Sequence, residues 1–352
     1  MVVDDSAVMR KLISNLLARD GEIEVVATAI DGDFALSKIA QLKPDVVTLD
    51  LEMPRMDGLT TLDHIVAKYR LPVVMLSSYT ERGAAATMQA LEKGAVDFVC
   101  KPKAAAQIGD MADELISKVK AAARSDVAAL NRRLGSAIDK KTKLQPVFAQ
   151  ADRVQVLAIG ASSGGPHALR YLLPRLPVDL AAPILIVQHL PEAFTPMLAR
   201  WLDEMCAVEV KEAVAGELAV PGKAYIAPAR VHMKVKRVAT GAAEILLERG
   251  TPVSGHMPSV DVLFKSVAAS FGASATAVIM TGMGSDGATG LNEVRLAGGH
   301  TIAQDEGSCS VFGMPRVAIQ RGGAKQVLAL EEIAAHLISR IGRTGFAEKR
   351  YA

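Results

Sequence analysis

Short apolar runs alternate with amphipathic helical patterns along most of this chain, and no other feature of the sequence constrains its fold as strongly. The alternation forms two series, one from Met1 to about Pro102 and one that begins at Val154. Alternation of this kind predicts parallel sheets that are covered by helices on both faces. A chain of 352 residues is also too long for one typical hydrophobic core. We therefore expect two α/β domains.

A stretch of different composition separates the two series. Residues 104–124 carry apolar side chains at helical spacing and predict an amphipathic helix that closes the first domain. Residues 125–152 are rich in Ala, Lys, Arg and Gln and have few apolar anchors, which indicates a partly helical linker. We expect a first domain over residues 1–103, a closing helix and linker over residues 104–152, and a second domain over residues 153–345.

The apolar runs predict the individual strands. After a short first strand at Val2 and Val3, the first series has predicted strands at residues 23–27, 46–49, 73–76 and 98–100. The second series has predicted strands at residues 154–159, 184–187 and 275–280. Three further β-like runs, at residues 224–226, 231–235 and 245–247, indicate an antiparallel hairpin region.

Composition argues against several classes of protein. A formal net charge of +2 gives no basic excess for nucleic acid, and no basic helix-turn-helix pattern follows the linker. Three widely spaced cysteines do not suggest a disulfide framework or a zinc site. The first residues show no signal pattern, and no apolar run approaches the length of a membrane span. A reducing, cytoplasmic location is the expected one.

Charged or hydroxyl-bearing side chains lie at the carboxyl ends of the predicted strands of the first series. Asp4 and Asp5 follow the first strand, Asp50 ends the third, Ser77 ends the fourth, and Lys101 follows the fifth. In a doubly wound sheet these ends form the edge at which ligands bind. Three carboxylates brought together repel one another unless a cation neutralises them, and Mg²⁺ prefers such oxygen ligands. The pattern therefore predicts a Mg²⁺ site.

Such a pocket suits the transfer of a phosphoryl group to a carboxylate. A bound cation lowers the cost of placing the phosphoryl group on Asp50. Lys101 would then supply a positive charge to the phosphate and Ser77 a hydroxyl donor, and a cis Lys101–Pro102 bond would re-aim the lysine. Taken singly, each of these residues is better explained as a helix cap, a turn residue or a solvated side chain. Their joint placement on four strand ends favours the site.

Three segments of the first series closely resemble response-regulator receiver domains: Val2-Val3-Asp4-Asp5-Ser6, residues 50–58 and Lys101-Pro102. The resemblance implies a flavodoxin-like doubly wound parallel sheet, with Asp50 as the phosphoacceptor. It also implies Asp4, Asp5 and Asp50 as Mg²⁺ ligands, and Ser77 and Lys101 as the switch pair. Phe98 stands where the family often has a switch aromatic. Because receiver domains usually have several more residues ahead of the Asp pair, we expect a first strand that is short or that begins upstream.

A glycine-rich turn opens the second series. The run Gly160-Ala161-Ser162-Ser163-Gly164-Gly165 follows an apolar segment, precedes a helical pattern and fits G-x-S-x-G. A serine on a tight strand-to-helix turn exposes its hydroxyl, and the start of the helix can stabilise an oxyanion. From this motif alone, a purely structural glycine turn is an equal alternative. The spacings of dinucleotide-binding and P-loop motifs are not met.

A serine nucleophile needs a base and an orienting acid. His189 directly follows the second predicted strand of this domain, and Asp286 follows the strand predicted at residues 275–280. Because the carboxyl ends of neighbouring parallel strands meet at one edge, these two side chains and the serine could form a catalytic triad. The order Ser, His, Asp differs from the Ser, Asp, His order of α/β-hydrolases. His167 is the main rival base, and the backbone N–H of Met283 is a candidate oxyanion donor.

The remaining histidines match no motif at a strand end, and we expect no catalytic role for them. They are His64, His232, His256, His300 and His336.

The motifs of the second series look like the catalytic domain of chemotaxis-specific protein-glutamate methylesterases, the CheB family. They lie at residues 159–166, 188–191, 258–264 and 280–287. The resemblance implies an α/β domain with a mostly parallel sheet and no cofactor in its site. It also implies Ser162 as nucleophile, His189 as base, Asp286 as the partner of that base, and the Met283 amide in the oxyanion hole. Two departures are small: Ser163 stands where threonine is common, and Met257 where arginine often stands.

The combined resemblance implies an adaptation enzyme of chemotaxis. Such an enzyme hydrolyses glutamate γ-methyl esters on chemoreceptors, deamidates certain receptor glutamines, and is activated when its receiver is phosphorylated. The implied partners are methylated chemoreceptors and a histidine kinase that donates phosphate, with no nucleic acid and with membrane contact only through the receptors. The alternative is a binding module, in which an esterase-like domain docks partners without chemistry.

Overall fold

The computed structural model describes residues 1–102, 108–125 and 156–345. The chain divides into two compact units, and the boundary between them lies within residues 126–155. The linker that we predict over residues 125–152 therefore lies almost wholly outside the described residues. Within the described ranges, no helix is both long enough and apolar enough to cross a membrane.

The first unit is a parallel five-stranded sheet in the order β2-β1-β3-β4-β5. Its strands are β1 (Val2–Val3), β2 (Thr28–Ala29), β3 (Val47–Asp50), β4 (Val73–Ser77) and β5 (Asp97–Cys100). Its helices are α1 (Ala7–Leu17), α2 (Gly32–Leu42), α3 (Gly58–His64), α4 (Glu81–Glu92) and α5 (Ile108–Arg124), and a π-helical turn over Ile65–Tyr69 continues α3. This order is that of a doubly wound flavodoxin-like sheet.

Two local predictions for this unit are wrong. The strand expected at residues 23–27 is absent, and β2 is confined to Thr28–Ala29. Because β1 is only two residues long, it offers two residues for β2 to pair with. The Lys101–Pro102 bond is trans, since the cis peptide among the described residues is Met257–Pro258.

The second unit contains a parallel seven-stranded sheet in the order β15-β14-β13-β6-β7-β10-β8 and a three-stranded antiparallel sheet in the order β11-β12-β9. Its strands are β6 (Val156–Ala161), β7 (Ile184–Gln188), β8 (Glu209–Glu212), β9 (Leu218–Ala219), β10 (Lys223–Ile226), β11 (His232–Arg237), β12 (Ala243–Glu248), β13 (Ala275–Ile279), β14 (His300–Gln304) and β15 (Gln326–Leu328). Its α-helices are α6 (Gly165–Leu172), α7 (Thr195–Asp203), α8 (Val260–Phe271), α9 (Ala288–Leu296), α10 (Met314–Gln320) and α11 (Leu330–Ile341), and 3-10 turns cover Leu173–Arg175 and Gly272–Ser274.

The predicted hairpin region is half right. Strands β11 and β12 pair in antiparallel fashion, as expected. Strand β10, however, joins the large sheet and is parallel to both β7 and β8. An apolar run of three or four residues indicates a strand but does not say which neighbour it pairs with. The strands β8, β9, β14 and β15 were not predicted from the sequence.

Helices α8 and α9 approach each other closely at Gly290. A Cβ atom at Gly290 would lie 2.7 Å from the Cβ of Phe264 and 2.9 Å from the backbone oxygen of Asp261. Phe264 is fully buried in the main core of this unit. The glycine therefore sets the distance between the two helices, whose amino ends lie at the carboxyl edge of the sheet.

We predict that Gly290→Ala destabilises the second unit. The added methyl group forces α8 and α9 apart at a cost of about 1–3 kcal/mol, of which higher helix propensity recovers at most about 1 kcal/mol. Urea unfolding followed by the fluorescence of the single tryptophan, Trp201 in α7, measures the change. Leu296→Ala, at a 78% exposed position of the same helix, is the matched control and should change stability by less than about 0.5 kcal/mol. An unchanged midpoint for Gly290→Ala would contradict this account of the packing.

Candidate active site

Three adjacent strands bring the predicted nucleophile, base and acid to one edge of the large sheet. Strand β6 lies between β7 and β13. Ser162 is the first residue after β6, and His189 is the first residue after β7. The backbone N–H of His189 donates to Ala161 O (3.1 Å), and that of Ser162 donates to Thr281 O (3.0 Å). The loops that carry the three residues are therefore linked by their backbones.

The turn around Ser162 is held by its own carbonyl oxygen. This oxygen accepts hydrogen bonds from Gly165 N and from Gln188 Nε2, both at 2.8 Å. Gly164 has φ +74°, a left-handed conformation that suits glycine. A Cβ at Gly282 would lie only 2.8 Å from the Cβ of Ser162, so glycine is needed where the two loops approach. The serine is half-buried, and its hydroxyl makes no hydrogen bond to any described residue.

The imidazole of His189 is hydrogen-bonded to Asp286. Its Nε2 lies 2.9 Å from Asp286 Oδ2. Its Nδ1 is buried and has no hydrogen-bond partner among the described residues. If Nε2 carries the proton that bonds the carboxylate, Nδ1 of the neutral ring is left as an acceptor. The ring can then take a proton through Nδ1.

The carboxylate of Asp286 is held at the amino end of α8. Oδ1 accepts from Ser259 Oγ (2.7 Å), from Asp261 N (3.0 Å) and from Gly287 N (3.0 Å). Oδ2 accepts from Val260 N (2.7 Å) in addition to its bond with the histidine. The first backbone N–H groups of a helix have no partner within the helix, and its dipole favours an anion there. The start of α8 thus acts as a socket for this buried carboxylate.

The socket keeps Asp286 ionised. Burial opposes ionisation, but the contacts with His189, Ser259 and Asp261 outweigh it and hold the pKa of Asp286 below its usual value. A carboxylate that stays charged can orient an imidazole and stabilise the imidazolium that forms when the ring takes a proton.

A second buried carboxylate, that of Asp261, links α8 to the amino end of α9. Asp261, in the first turn of α8, accepts a 2.7 Å hydrogen bond from Gly290 N in the first turn of α9. Its own burial and the nearby charge of Asp286 raise its pKa. Each helix therefore receives a carboxylate cap from the segment that begins the other.

Met283 supplies a free backbone donor in the loop that carries the acid. Its backbone N–H has no acceptor among the described residues, and its side chain is 37% exposed. Gly282 and Gly284 flank it, and Gly282 O accepts from the backbone N–H groups of Gly313 and Met314. The loop is thus fixed while one N–H stays open to a ligand, which suits an oxyanion donor.

Sequence reasoning missed three residues that surround this site. The rings of His256 and His189 are stacked, with centroids 3.8 Å apart and planes inclined by 13°. His232 is buried, and its Nδ1 accepts a 3.2 Å hydrogen bond from Ser259 N. Ser259 caps α8, which its position before an apolar helical run could have indicated. No comparable signal in the sequence points to either histidine. The rival base, His167, is buried within α6.

The acidic residues of the first unit also converge. One carboxylate oxygen from each of Asp4, Asp5 and Asp50 lies within 4.8 Å of the others. Asp4 and Asp50 are buried, and Asp5 is exposed. Lys101 Nζ bridges the two buried carboxylates, at 2.8 Å from Asp4 Oδ2 and 2.7 Å from Asp50 Oδ2. Three carboxylates at this spacing are a donor set that fits a hard divalent cation.

Burial dominates the electrostatics of Asp50. It raises the pKa of Asp50 to about 6, although the ammonium group of Lys101 acts in the opposite direction and Asp4 adds to the increase. The two carboxylates in turn outweigh burial at Lys101 and raise its pKa. The lysine therefore stays charged beside a carboxylate that is costly to ionise. A phosphoryl group at this point meets a positive charge that is already in place.

Ser77 and Phe98 lie on the strands where they were predicted, but the serine does not contact the acidic cluster. Its hydroxyl accepts from Thr87 Oγ1 (2.7 Å) and donates to Gly83 O (3.2 Å), both in α4. The ring of Phe98 is buried, 5.0 Å from Lys118 Nζ. The structure thus brings Lys101 to Asp50 and leaves Ser77 bonded to α4.

Known proteins match both units. Residues 157–337 match the CheB methylesterase family, and residues 1–113 match the response regulator receiver domain family. The protein-glutamate methylesterase/protein-glutamine glutaminase 2 of Koribacter versatilis is 48% identical over 340 residues, which cover 95% of this chain and 93% of that protein. The chain belongs to the CheB methylesterase family.

Other members of this family support the same assignment. The protein-glutamate methylesterase/protein-glutamine glutaminase of Symbiobacterium thermophilum is 46% identical over 353 residues, which cover 97% of this chain and 96% of that protein. The solved CheB methylesterase catalytic domain of Thermotoga maritima matches with a TM-score of 0.52 and 39% identity, covering 53% of this chain and 98% of that one. Both predicted resemblances and the predicted α/β fold are confirmed.

The half-buried ring of His256 predicts a specific dependence of stability on pH. Burial, followed by the charge of His189, lowers the pKa of His256 to about 4, against a smaller opposing effect of Asp286. Between about pH 6.5 and pH 4 the unfolded chain binds a proton at this residue and the folded chain does not, so folding becomes less favourable as the pH falls.

His256→Phe should flatten this dependence. The free energy of unfolding, measured in urea by Trp201 fluorescence from pH 7 to pH 4.5, should fall less steeply for the variant than for the wild type. The difference should be at most about 3 kcal/mol. Histidines that do not contact His256 contribute equally to both proteins, so the comparison reports on His256 and on the His189 ring stacked against it. Parallel curves would show that the ring is not kept neutral by the folded structure.

Proposed function

We propose that this protein hydrolyses γ-methyl esters of glutamate residues on chemoreceptors, and that it also deamidates certain receptor glutamines. The observation that carries the proposal is the hydrogen bond between His189 and a buried, ionised Asp286, at the sheet edge where Ser162 follows the neighbouring strand on a glycine turn. Family membership supports the substrate class, since the relatives are named protein-glutamate methylesterase/protein-glutamine glutaminase.

In the proposed reaction, Ser162 Oγ attacks the ester carbonyl while His189 takes its proton. The acceptor is Nδ1, the ring nitrogen that Asp286 does not occupy. The backbone N–H of Met283 donates to the oxyanion of the tetrahedral intermediate. His189 then gives its proton to the departing methanol, and water hydrolyses the acyl-enzyme by the same steps in reverse. No cofactor is required for these steps.

Methyl-ester hydrolysis changes the charge of the substrate. Each ester removed leaves one carboxylate on the receptor, and each glutamine deamidated does the same. Two like charges added near one another repel, so the reaction alters the electrostatics of the receptor surface. We place this activity in the cytoplasm, where receptors and their kinases would both be within reach.

The receiver unit supplies the proposed control. Asp50 accepts a phosphoryl group from a histidine kinase. Asp4, Asp5 and Asp50 are the residues that would hold Mg²⁺, and the bound cation would offset the charge of the phosphoryl group. Lys101 is already beside Asp50 and pairs with the phosphate, and Ser77 leaves its bonds in α4 to donate to it. This rearrangement shifts the receiver between two states and activates the esterase.

Removing the nucleophile tests the chemistry. Ser162→Ala should lower methanol release from methylated receptor membranes by about 10⁴-fold or more, because the hydroxyl that attacks the ester is removed and Ser259, the other hydroxyl at the pair, donates its proton to Asp286. Ser274→Ala, in the turn before the amino end of β13, is the matched control and should keep wild-type activity. Undiminished methanol release by Ser162→Ala would show that Ser162 is not the nucleophile, whereas a wild type that releases no methanol would favour the alternative of a binding module without chemistry.

Phosphorylation tests the control. A small acyl phosphate with Mg²⁺ should raise the rate of methanol release by the wild type, and Asp50→Asn should show no response. Chelation of Mg²⁺ should abolish the response and leave the basal rate unchanged. Asp33→Asn, an exposed carboxylate in the first turn of α2, should respond like the wild type. An unchanged rate in protein with phosphorylated Asp50 would refute the regulatory part of the proposal.

A further inference from the structure

The segment that carries His256 is a β-hairpin whose turn has two residues. Val253 N donates to His256 O (3.0 Å), and His256 N donates to Val253 O (2.9 Å). The two residues between them, Ser254 and Gly255, have φ +53° and +80°. Positive φ at both central positions is the geometry of a type I′ turn. The backbone of His256 is therefore fixed by local hydrogen bonds.

The hairpin is also tied to the carboxylate socket. Arg230 N donates to Met257 O at 3.1 Å. Two residues further on, the backbone N–H of Ser259 donates to His232 Nδ1, and the hydroxyl of Ser259 donates to Asp286 Oδ1. One short segment thus fixes both the carboxylate that bonds His189 and the ring that stacks on it.

The stack with His256 restricts a rotation of the His189 ring that its hydrogen bond to Asp286 leaves free. The bond from Nε2 to Asp286 fixes one point of the ring but permits rotation about the axis of that bond. His256 lies against a face of the ring, with 3.8 Å between centroids, and opposes such rotation. An imidazole held at its edge and at its face has one orientation, in which Nδ1 points to a single place.

We propose that His256 is a positioning residue for the reaction, whose ring holds the imidazole of His189 in the orientation of its bond to Asp286, with Nδ1 left to accept the proton of Ser162. The inference rests on the proposed function for the identity of the reaction, but not for the geometry. His256 does not exchange a proton with the substrate. Its contribution is to keep the base aligned before and during proton transfer.

The protonation state of His256 agrees with this role. The charged groups that act on the ring are His189, which together with burial lowers the pKa to about 4, and Asp286, which opposes the decrease. The ring is therefore neutral near pH 7. When His189 becomes an imidazolium, it faces a neutral aromatic surface, which attracts a cation. A second cation there would repel it.

The test uses a fluorophosphonate, which phosphonylates an activated serine, with fluoride as the leaving group, and needs no receptor. In the full-length protein, His256→Ala should lower both the rate of Ser162 labelling and kcat for methanol release by roughly 10- to 100-fold, because displacement of a catalytic group is that costly. KM should stay within about 2-fold, since the substrate is not contacted. His256→Phe restores an aromatic face without a titratable group and should stay within about 3-fold of the wild type.

Two further variants keep the comparison sound. A second pair of stacked histidines is formed by His300, at the amino end of β14, and His336, in α11. His336→Ala removes one ring of that pair and should leave both rates unchanged. If His256→Ala does not fold, His256→Gln takes its place, as it keeps a polar side chain of similar length but no ring. It should be as defective as the alanine variant was expected to be.

The outcomes are distinguishable. Equal labelling rates for the wild type and for the variant without a ring would overturn the inference. So would a His256→Phe protein as slow as His256→Ala, because it would assign the histidine a role in proton transfer. A wild type that labels at Ser162 but releases no methanol from receptors would contradict the proposed function. If labelling still fell in His256→Ala and recovered in His256→Phe, the positioning role would be supported.

Discussion

The burial of one carboxylate at the start of one helix organises the catalytic unit. Moving a charge such as that of Asp286 out of water is costly unless hydrogen bonds replace its hydration. Four hydrogen-bond donors replace it, in addition to the ring of His189. Three of the four belong to residues 259–261 at the beginning of α8, and the fourth is the backbone N–H of Gly287. Asp261 makes the reverse connection to α9. The helices that carry these groups are thereby locked to each other and to the edge of the sheet.

This arrangement determines which ring nitrogen of His189 bonds the carboxylate and which one is left as an acceptor. In the serine proteases the carboxylate bonds Nδ1 and the serine faces Nε2. Here Nε2 bonds Asp286 and Nδ1 has no hydrogen-bond partner among the described residues, so the proposed reaction uses the two ring nitrogens in the opposite sense. Parallel strands impose the order, because the serine strand β6 lies between the strands that precede the histidine and the aspartate. The stacked ring of His256 then removes the rotation that a single hydrogen bond would permit.

Residues at strand ends were predictable from the sequence, and residues that arrive by other routes were not. Ser162, His189 and Asp286 each follow a buried apolar run, and so do Asp50 and Lys101, so their positions at the sheet edges followed from periodicity alone. His256 reaches the site from a hairpin, and nothing in its neighbours indicates which ring it will meet. Strand β10 was misassigned for a similar reason: an apolar run predicts a strand but not its partner. The family resemblance supplied roles, whereas only the coordinates supplied the orientation of the imidazole.

The tautomer of His189 tests the central claim most directly. Nitrogen-15 NMR of the imidazole in the full-length protein near neutral pH distinguishes a protonated ring nitrogen from an unprotonated one. The account predicts a neutral ring with the proton on Nε2, hydrogen-bonded to Asp286, and with Nδ1 unprotonated. In Asp286→Ala this preference should be lost. A wild-type ring with its proton on Nδ1 would mean that this nitrogen cannot accept the proton of Ser162, and the proposed activation of the serine would be wrong.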